Sequence, residues 1–289
     1  PSLSIIYKLN YAWRFTVHAS YKERYGEMTD LYDRPYQTDY RNSVWNCGIL
    51  PVYRQQLYSV YGEYKSTARE FFATVNLTHN REWYNRIYEQ RIENGQVQRV
   101  SLPLSNHGSG YTVKSTLSKG FYDLGLKTSL MALLNISKAE QISGGQRLPY
   151  QYRLMRLEPK VIWTPNRHWE TSYQTDIRYG GSKIGERTRL APLWNVIQQV
   201  QLSYIFSPIE ASLSVDHYHN DVNEDQSVNA VFADFSVSWK SGRWQITATA
   251  TNLFDKRTYA YTRYASLESY TSWVRIRPRE FLVAIRYRL

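Results

Sequence analysis

The chain has 289 residues, enough for one large all-β domain or two small ones, with 26 Tyr and 9 Trp against 3 Met and a formal charge of +11. A mean hydropathy of −0.56 and the lack of any run of about 18 apolar residues exclude transmembrane helices, but not a barrel, whose strands put only every second residue into lipid. A single cysteine, Cys47, excludes an intrachain disulfide and a thiolate cluster.

Lys and Arg are scattered among Asp and Glu without a dense basic run. This favours lipopolysaccharide phosphates and charged lumen chemistry over nucleic acid as the reason for the basic balance. Tyr and Trp pair an apolar ring with a polar tip, which suits a membrane–water boundary. By composition alone, a soluble sandwich with aromatic cross-strand pairs fits equally well. The chain opens PSLSIIYKLN, without a basic start or cleavage site. An exported protein is then expected to have lost its leader or to begin upstream.

Taken in chain order, the dominant signal is alternation of apolar and polar residues. Trp13, Phe15, Val17, Ala19 and Tyr21 oppose Arg14, Thr16, His18, Ser20, Lys22 and Arg24. The stretches Leu124 to Leu134 and Ile209 to Val215 alternate similarly. Trp169, Tyr173, Ile177 and Tyr179 oppose Glu170, Ser172, Gln174, Asp176 and Arg178. Val231, Ala233, Phe235, Val237 and Trp239 oppose Asp234, Ser236, Ser238 and Lys240, and Trp244, Ile246, Ala248 and Ala250 oppose Gln245, Thr247, Thr249 and Thr251. Charges lie mid-strand on the polar face, so that face meets water. The apolar face needs either a second sheet or lipid.

Thirteen strands are expected, at 2–9, 12–25, 53–65, 69–83, 109–118, 121–140, 150–163, 168–180, 190–206, 209–219, 229–240, 243–256 and 276–289. Many exceed the usual ~5–6 residues of globular strands and are long enough to cross a bilayer when tilted. Short links at Asn10-Tyr11, 65–68, Lys119-Gly120, 164–167, Ser207-Pro208 and Ser241-Gly242 alternate with longer ones. The longer ones fall at 26–52, 84–108, 141–149, 180–190, 219–229 and 257–275. Glu93-Asn94-Gly95-Gln96 is a hairpin turn, so two strands are expected to project from the second long link. Short periplasmic turns alternating with long external loops are the habit of outer-membrane barrels, and sandwiches do not require it. By this reading residue 1 lies outside the cell and the last strand ends in the periplasm. An odd count, where bacterial barrels are usually even, leads us to expect strands before Pro1.

The C-terminus adds a specific likeness. Asn252-Leu253-Phe254-Asp255-Lys256-Arg257-Thr258-Tyr259 resembles the segment before the last external loop of TonB-dependent receptors. In the last strand Phe281, Val283, Ile285, Tyr287 and Leu289 alternate as does the terminal signal read by the barrel-assembly machinery, with Leu289 where the family usually ends in Phe. Gly48-Ile49-Leu50-Pro51 resembles a degenerate form of that family's G-N-P-x-L-x-P region, and Tyr25 to Tyr36 the loop before it. The resemblance implies an antiparallel transmembrane β-barrel of about 22 strands with a plug. Residues 1–289 would then be the C-terminal part of the barrel domain, with the plug and the TonB contact elsewhere. It also implies a Gram-negative outer membrane as location, with outer-membrane lipid and lipopolysaccharide around the wall; a surface lipoprotein is a further candidate partner, above all if the barrel is a scaffold.

Candidate chemistry is sparse. His217 and His219 share a strand face within Asp216-His217-Tyr218-His219-Asn220-Asp221, and parity puts both outward near the external rim. That is more simply a polar strand end than a metal site. His79 and His107 stand near external ends without partner spacing. SGGQ (143–146) and YGGS (179–182) lack a phosphate-loop pattern and read as loop glycines. No catalytic constellation, metal site or cofactor is expected, and the chain is not read as an enzyme.

The broader candidates are lumen-facing Arg14, Lys22, Arg24, Lys127, Arg156, Lys160, Arg178 and Lys240, which could attract an anionic solute or hold plug carboxylates. Their plainer role is to hydrate the wall. Tyr259, Tyr261, Tyr264, Tyr270 and Trp273 of the last long loop could stack on a flat or sugar-like solute, or pack on neighbouring loops. The expected function is energised uptake of a scarce or large solute (siderophore, vitamin, glycan or peptide). The alternatives are a passive porin of about 14 strands and a non-transporting scaffold barrel.

Overall fold

A computed structural model describes residues 1–93, 95–185, 188–223, 225–264 and 269–288, with the backbone alone at 93, 143, 188–191, 262–264 and 269–270. The strands are β1 (Ser2–Lys8), β2 (Trp13–Tyr25), β3 (Tyr36–Gln37), β4 (Asn42–Trp45), β5 (Val52–Ser66), β6 (Phe71–Tyr84), β7 (Ile87–Glu93), β8 (Gln96–Leu102), β9 (Asn106–Phe121) and β10 (Leu126–Ser143). They continue with β11 (Gln146–Asn166), β12 (Trp169–Ile184), β13 (Thr188–Phe206), β14 (Ile209–Asp221), β15 (Ser227–Ser241), β16 (Trp244–Thr251), β17 (Thr258–Tyr264), β18 (Ser269–Arg275) and β19 (Glu280–Tyr287). Two short 3₁₀ turns, Met28–Leu31 and Tyr122–Leu124, are the only other regular elements among the described residues.

Thirteen of these strands make one antiparallel wall in sequential order: β1, β2, β5, β6, β9 to β16, then β19. They correspond one for one to the thirteen expected from alternation. The chain is thus an all-β, antiparallel barrel-type sheet. Every wall strand between β1 and β19 is paired along both edges. Among the described residues β1 and β19 do not pair with one another, and both are exposed along their whole length.

The register carries each face unbroken across the wall. Trp13 pairs with Tyr64, Val17 with Val60, Val60 with Leu77, Leu77 with Val113, Val113 with Leu134 and Leu134 with Met155. On the other face Arg14 pairs with Glu63 and Glu63 with Thr74. Aromatic residues bracket the apolar face. Trp13–Tyr64, Trp169–Tyr204 and Trp244–Tyr287 contacts, at 4.8, 4.7 and 4.8 Å between centroids, line the end with short turns. Tyr179–Trp194 at 4.7 Å lies at the other end. From Trp169 to Tyr179 a strand advances about 33 Å, which a ~40° tilt reduces to about 25 Å, the height of an outer-membrane apolar band.

The dry core lies beyond this band. β7 and β8 form the expected projecting hairpin and fold back, so that β8 runs parallel beside β4 and β7 meets the tip of β10 at Ile142↔Glu89. Ile87, Val100 and Ile142 are buried there, Ile87 fully. Ala230, Ala233 and Leu193 of the wall and Ala260 of β17 are also buried, but the large aliphatic side chains Ile87, Val100 and Ile142 come together in this layered extension.

Several local expectations are corrected. The links 141–149 and 180–190 are not long loops. β10 and β11 run on to a two-residue turn at Gly144-Gly145, whose φ values of 58° and 77° suit the hairpin twist only glycine enters freely. Gly180-Gly181 lies inside β12 at a register shift, not in a loop. Lys119-Gly120 stays in β9, and the turn follows at Tyr122–Leu124 and Gly125. The strand expected over 243–256 stops at Thr251, because Asn252 and Asp255 turn into the left-handed region at φ 50°. Leu289 lies outside the described residues.

Candidate functional site

Register places all eight candidate cations on the polar face. Arg14, Lys22 and Arg24 project from β2 opposite Glu63, Gln55 and Tyr53. Lys127 and Lys160 face Ile162 and Ser129 across β10 and β11. Arg156 and Arg178 are opposite each other on β11 and β12. Lys240 is opposite Gln245. Half of them are neutralised. Arg14 pairs with Glu63 and Lys240 with Glu210 at 2.6 Å. Arg156 and Arg178 share Asp176, at 2.9 and 2.6 Å, and Arg156 also meets Glu158. Lys22, Arg24, Lys127 and Lys160 have no carboxylate partner among the described residues. These four leave uncompensated positive charge on the polar face.

Near the end opposite the short turns the polar face carries a cluster that alternation alone does not reveal. The Glu82 carboxylate accepts hydrogen bonds from the Tyr53 hydroxyl (3.0 Å), the Gln55 amide (3.1 Å), the Asn80 amide (2.8 Å) and the Tyr84 hydroxyl (2.8 Å). Tyr53 and Tyr84 lie 5.1 Å apart. Lys22, Gln55, Glu82 and Gly108 occupy one cross-strand row, and Arg24, Tyr53, Tyr84 and Asn106 the next. A Cβ on Gly110 would stand 2.4 Å from the Asn80 amide oxygen, so glycine there leaves space for Asn80 to reach Glu82. The result is a fixed polar shelf beside two uncompensated cations. The shelf is organised around one carboxylate, the two cations stand in the same cross-strand rows, and it holds no nucleophile–base pair. The sequence signal for it was the placing of Glu82 on the same parity as Asn80 and Tyr84.

The same end is held by further polar contacts. Glu89, 6 % exposed, accepts bonds from Arg91 and from the Gly145 amide, tying β7 to the β10–β11 tip. Arg86 pairs with Asp30 at 2.9 Å, docking the Met28–Leu31 turn onto β7. Burial raises the Tyr88 hydroxyl above its ordinary value, with Arg99 lying 3.7 Å over its ring.

The segment Asn252 to Tyr259 acts as a clamp. Asn252, 6 % exposed, donates to the carbonyls of Lys256 (2.9 Å) and Arg277 (2.8 Å) and accepts from the Lys256 amide (2.9 Å). Its own amide donates to Asp234. Asp255 is gripped by Arg257 and by the Arg279 amide, which together hold its carboxyl below the usual range. One side chain therefore joins the end of β16 to the start of β19 across the last long link.

Of the loop aromatics, Tyr259 packs on Tyr218 at 5.2 Å, and its hydroxyl accepts from Asn220. Tyr261 lies 6.0 Å from Tyr259, and Trp273 is 70 % exposed. The side chains of Tyr264 and Tyr270 lie outside those described. Phe281, Val283, Ile285 and Tyr287 share the face of Ala250, Ala248, Ile246 and Trp244. His217 and His219 do face outward, but they turn to different partners, Gln198 and Asn229. His79 is stacked on Tyr111 at 4.3 Å, and His107 stands 3.9 Å from Glu140. Among the described residues no three His, Cys, Asp or Glu side chains gather to hold an ion.

No family model matches the chain, and no curated protein does. Among solved structures it is similar to the ferric yersiniabactin uptake receptor FyuA from Yersinia pestis, at 8% identity and a TM-score of 0.46 over 100% of this chain and 49% of that one. It is also similar to the translocator domain of the autotransporter NalP from Neisseria meningitidis (10% identity, TM-score 0.30, 97% and 89%). A third likeness is to the Pseudomonas putida toluene transporter TodX (12% identity, TM-score 0.28, 89% and 77%). The chain spans about half the length of FyuA.

Proposed function

We propose that the chain forms barrel wall and external loops of a Gram-negative outer-membrane transporter that takes up an anionic solute by a TonB-energised route. The observation that carries the membrane reading is the two-faced wall, one face apolar and bracketed by aromatic rings, the other bearing eight cations. The TonB-energised reading rests on the resemblance carried by Asn252 to Tyr259 and the terminal strand. The uncompensated Lys22 and Arg24 beside the Tyr53–Tyr84 shelf favour a negatively charged solute entering from outside. The chain selects and passes that solute without making or breaking bonds, and the barrel-assembly machinery inserts it.

Uptake by cells with and without a protonophore tests this. Energised transport is lost when the proton gradient collapses, whereas uptake that persists, with steady conductance of the purified protein in a planar bilayer, would establish a passive channel. A surface lipoprotein that co-purifies while no solute is taken up would point to a scaffold.

A further inference from the structure

The apolar face carries its own row of positive charge, just above the external ring of aromatics. Register aligns Arg81 with Ser109, Ser109 with Lys138, Lys138 with Gln151, and Gln151 with Lys183 across five adjacent strands, β6 and β9 to β12. Every second strand thus presents a cation, and two strand spacings put them about 10 Å apart. Arg81, Lys138 and Lys183 are exposed. One level nearer the midplane Arg153 joins them, opposite Gly181, which adds no side chain beside it. None of these four has a carboxylate partner among the described residues. Among the described residues the nearby acid on this face is Glu140, which is engaged by Arg147 at 3.1 Å. His107, Lys138, Gln151 and Lys183 border a hollow of about 380 Å³.

What lies beneath the row indicates the class of ligand. His79 is stacked between Tyr58 and Tyr111, at 6.4 and 4.3 Å, on the level directly below. Below that come Leu77, Val113, Leu134 and Met155. A ligand seated here meets cations at its head and an aromatic, then aliphatic, surface at its tail. Uncompensated cations clustered at a membrane boundary attract anionic headgroups, and phosphate is well matched to mixed Arg and Lys.

We infer that Arg81, Lys138, Arg153 and Lys183 form a lateral binding site for a phosphorylated glycolipid of the outer leaflet. The inference rests on the membrane reading proposed above, and it adds a site on the outside of the wall that the solute path does not use. Two phosphates on one headgroup would bridge neighbouring members of the row, and the acyl chains would lie along Tyr111, Leu77 and Leu134.

The test reconstitutes the full chain, wild type and R81Q/K138Q/K183Q, in phosphatidylethanolamine vesicles. These contain a small fraction of either bisphosphorylated lipid A or its dephosphorylated form. All three substitutions are at exposed positions, and K138Q alone serves as a milder second variant. We expect wild type to retain bisphosphorylated lipid A through purification and to gain about 2–4 °C in its heat-unfolding midpoint. The triple variant should lose at least tenfold of the retained lipid, with K138Q intermediate. Equal retention by the triple variant, or of the dephosphorylated lipid, would overturn the site while leaving the membrane reading intact. The same protection from inorganic phosphate alone would also overturn it, by showing a soluble-anion site. Failure of wild type to enter vesicles at all would instead overturn the membrane reading and the site with it.

Discussion

Asp176 of β12 holds Arg156 of β11 through two parallel hydrogen bonds, Nε to Oδ1 at 2.9 Å and Nη2 to Oδ2 at 3.0 Å, while Arg178 grips the same carboxylate from its own strand. One acid thus pairs with two of the eight wall cations, and Glu158 supplies the second negative charge beside Arg156. Charge on the polar face is decided less by how many basic residues it has than by which of them find an acid across the pair.

Asp176→Asn should therefore uncover both guanidinium groups at once. Asp176 is the most enclosed member, and its loss leaves Arg156 with Glu158 alone. We expect a loss of about 1–3 kcal/mol in unfolding free energy of the detergent-folded protein, measured by urea titration. Arg156→Gln with Asp176→Asn should cost less than the sum of the two single changes. Strict additivity would show that the pair is not coupled.

Gly125 is the strictest backbone position on the turn side. It has φ +60°, and a Cβ there would lie 2.1 Å from the Thr164 carbonyl oxygen. Its own carbonyl accepts the Thr164 amide at 2.8 Å. Gly125→Ala combines a left-handed penalty with a clash against backbone, for a loss of roughly 2–5 kcal/mol. Gly242→Ala has a similar φ, +57°, but open space around it, and should cost only the conformational part, about 1–2 kcal/mol. Equal midpoints for the two variants in the same titration would refute the steric argument.

Asn252→Ala removes three side-chain bonds in a nearly dry setting and places Ala at φ 50°. The Lys256 amide and the carbonyls of Lys256 and Arg277 lose their partner. The expected cost is about 2–4 kcal/mol locally, read as faster proteolysis of the 252–279 link in the folded protein. Asn252→Asp keeps the acceptor for Lys256 but loses both donors, and should fall between wild type and Ala.

The Asp255–Arg257 pair makes the same link sensitive to acid. Arg257 holds the Asp255 carboxyl below its ordinary value, so the folded form binds a proton less readily than the unfolded one. The stabilisation is complete above the unfolded value, about 3.9, and is lost as pH falls through the lower folded value. Hydrogen exchange at the Arg279 amide, which donates to Asp255 at 3.0 Å, should stay protected from pH 7 to about 5. Beyond the intrinsic pH dependence of exchange, protection should drop below about pH 4. Asp255→Asn should flatten that drop.

Much of the architecture was legible because alternation is a local property. Trp13 and Arg14 point to opposite faces whatever their neighbours do, so the thirteen wall strands, their polar and apolar sides and the turn end could be read from the order of residues. Boundaries failed where side chains redirect the backbone. Asn252 ends β16 by bonding Lys256 and Arg277, and the paired glycines 144 and 145 let two strands extend where a loop was expected. The clamp's motif was visible, but its role depends on Arg277, 25 residues away.

By itself the sequence determined the faces of the wall, because side chains on a pleated strand alternate with period two. Only the tertiary structure decided who stands beside whom: β8 next to β4, Lys22 beside the Glu82 shelf, and Arg81, Lys138 and Lys183 in one outward row. That choice depends on the stagger between strands, a cross-chain quantity set by turn length, bulges and packing together, and no single strand encodes it.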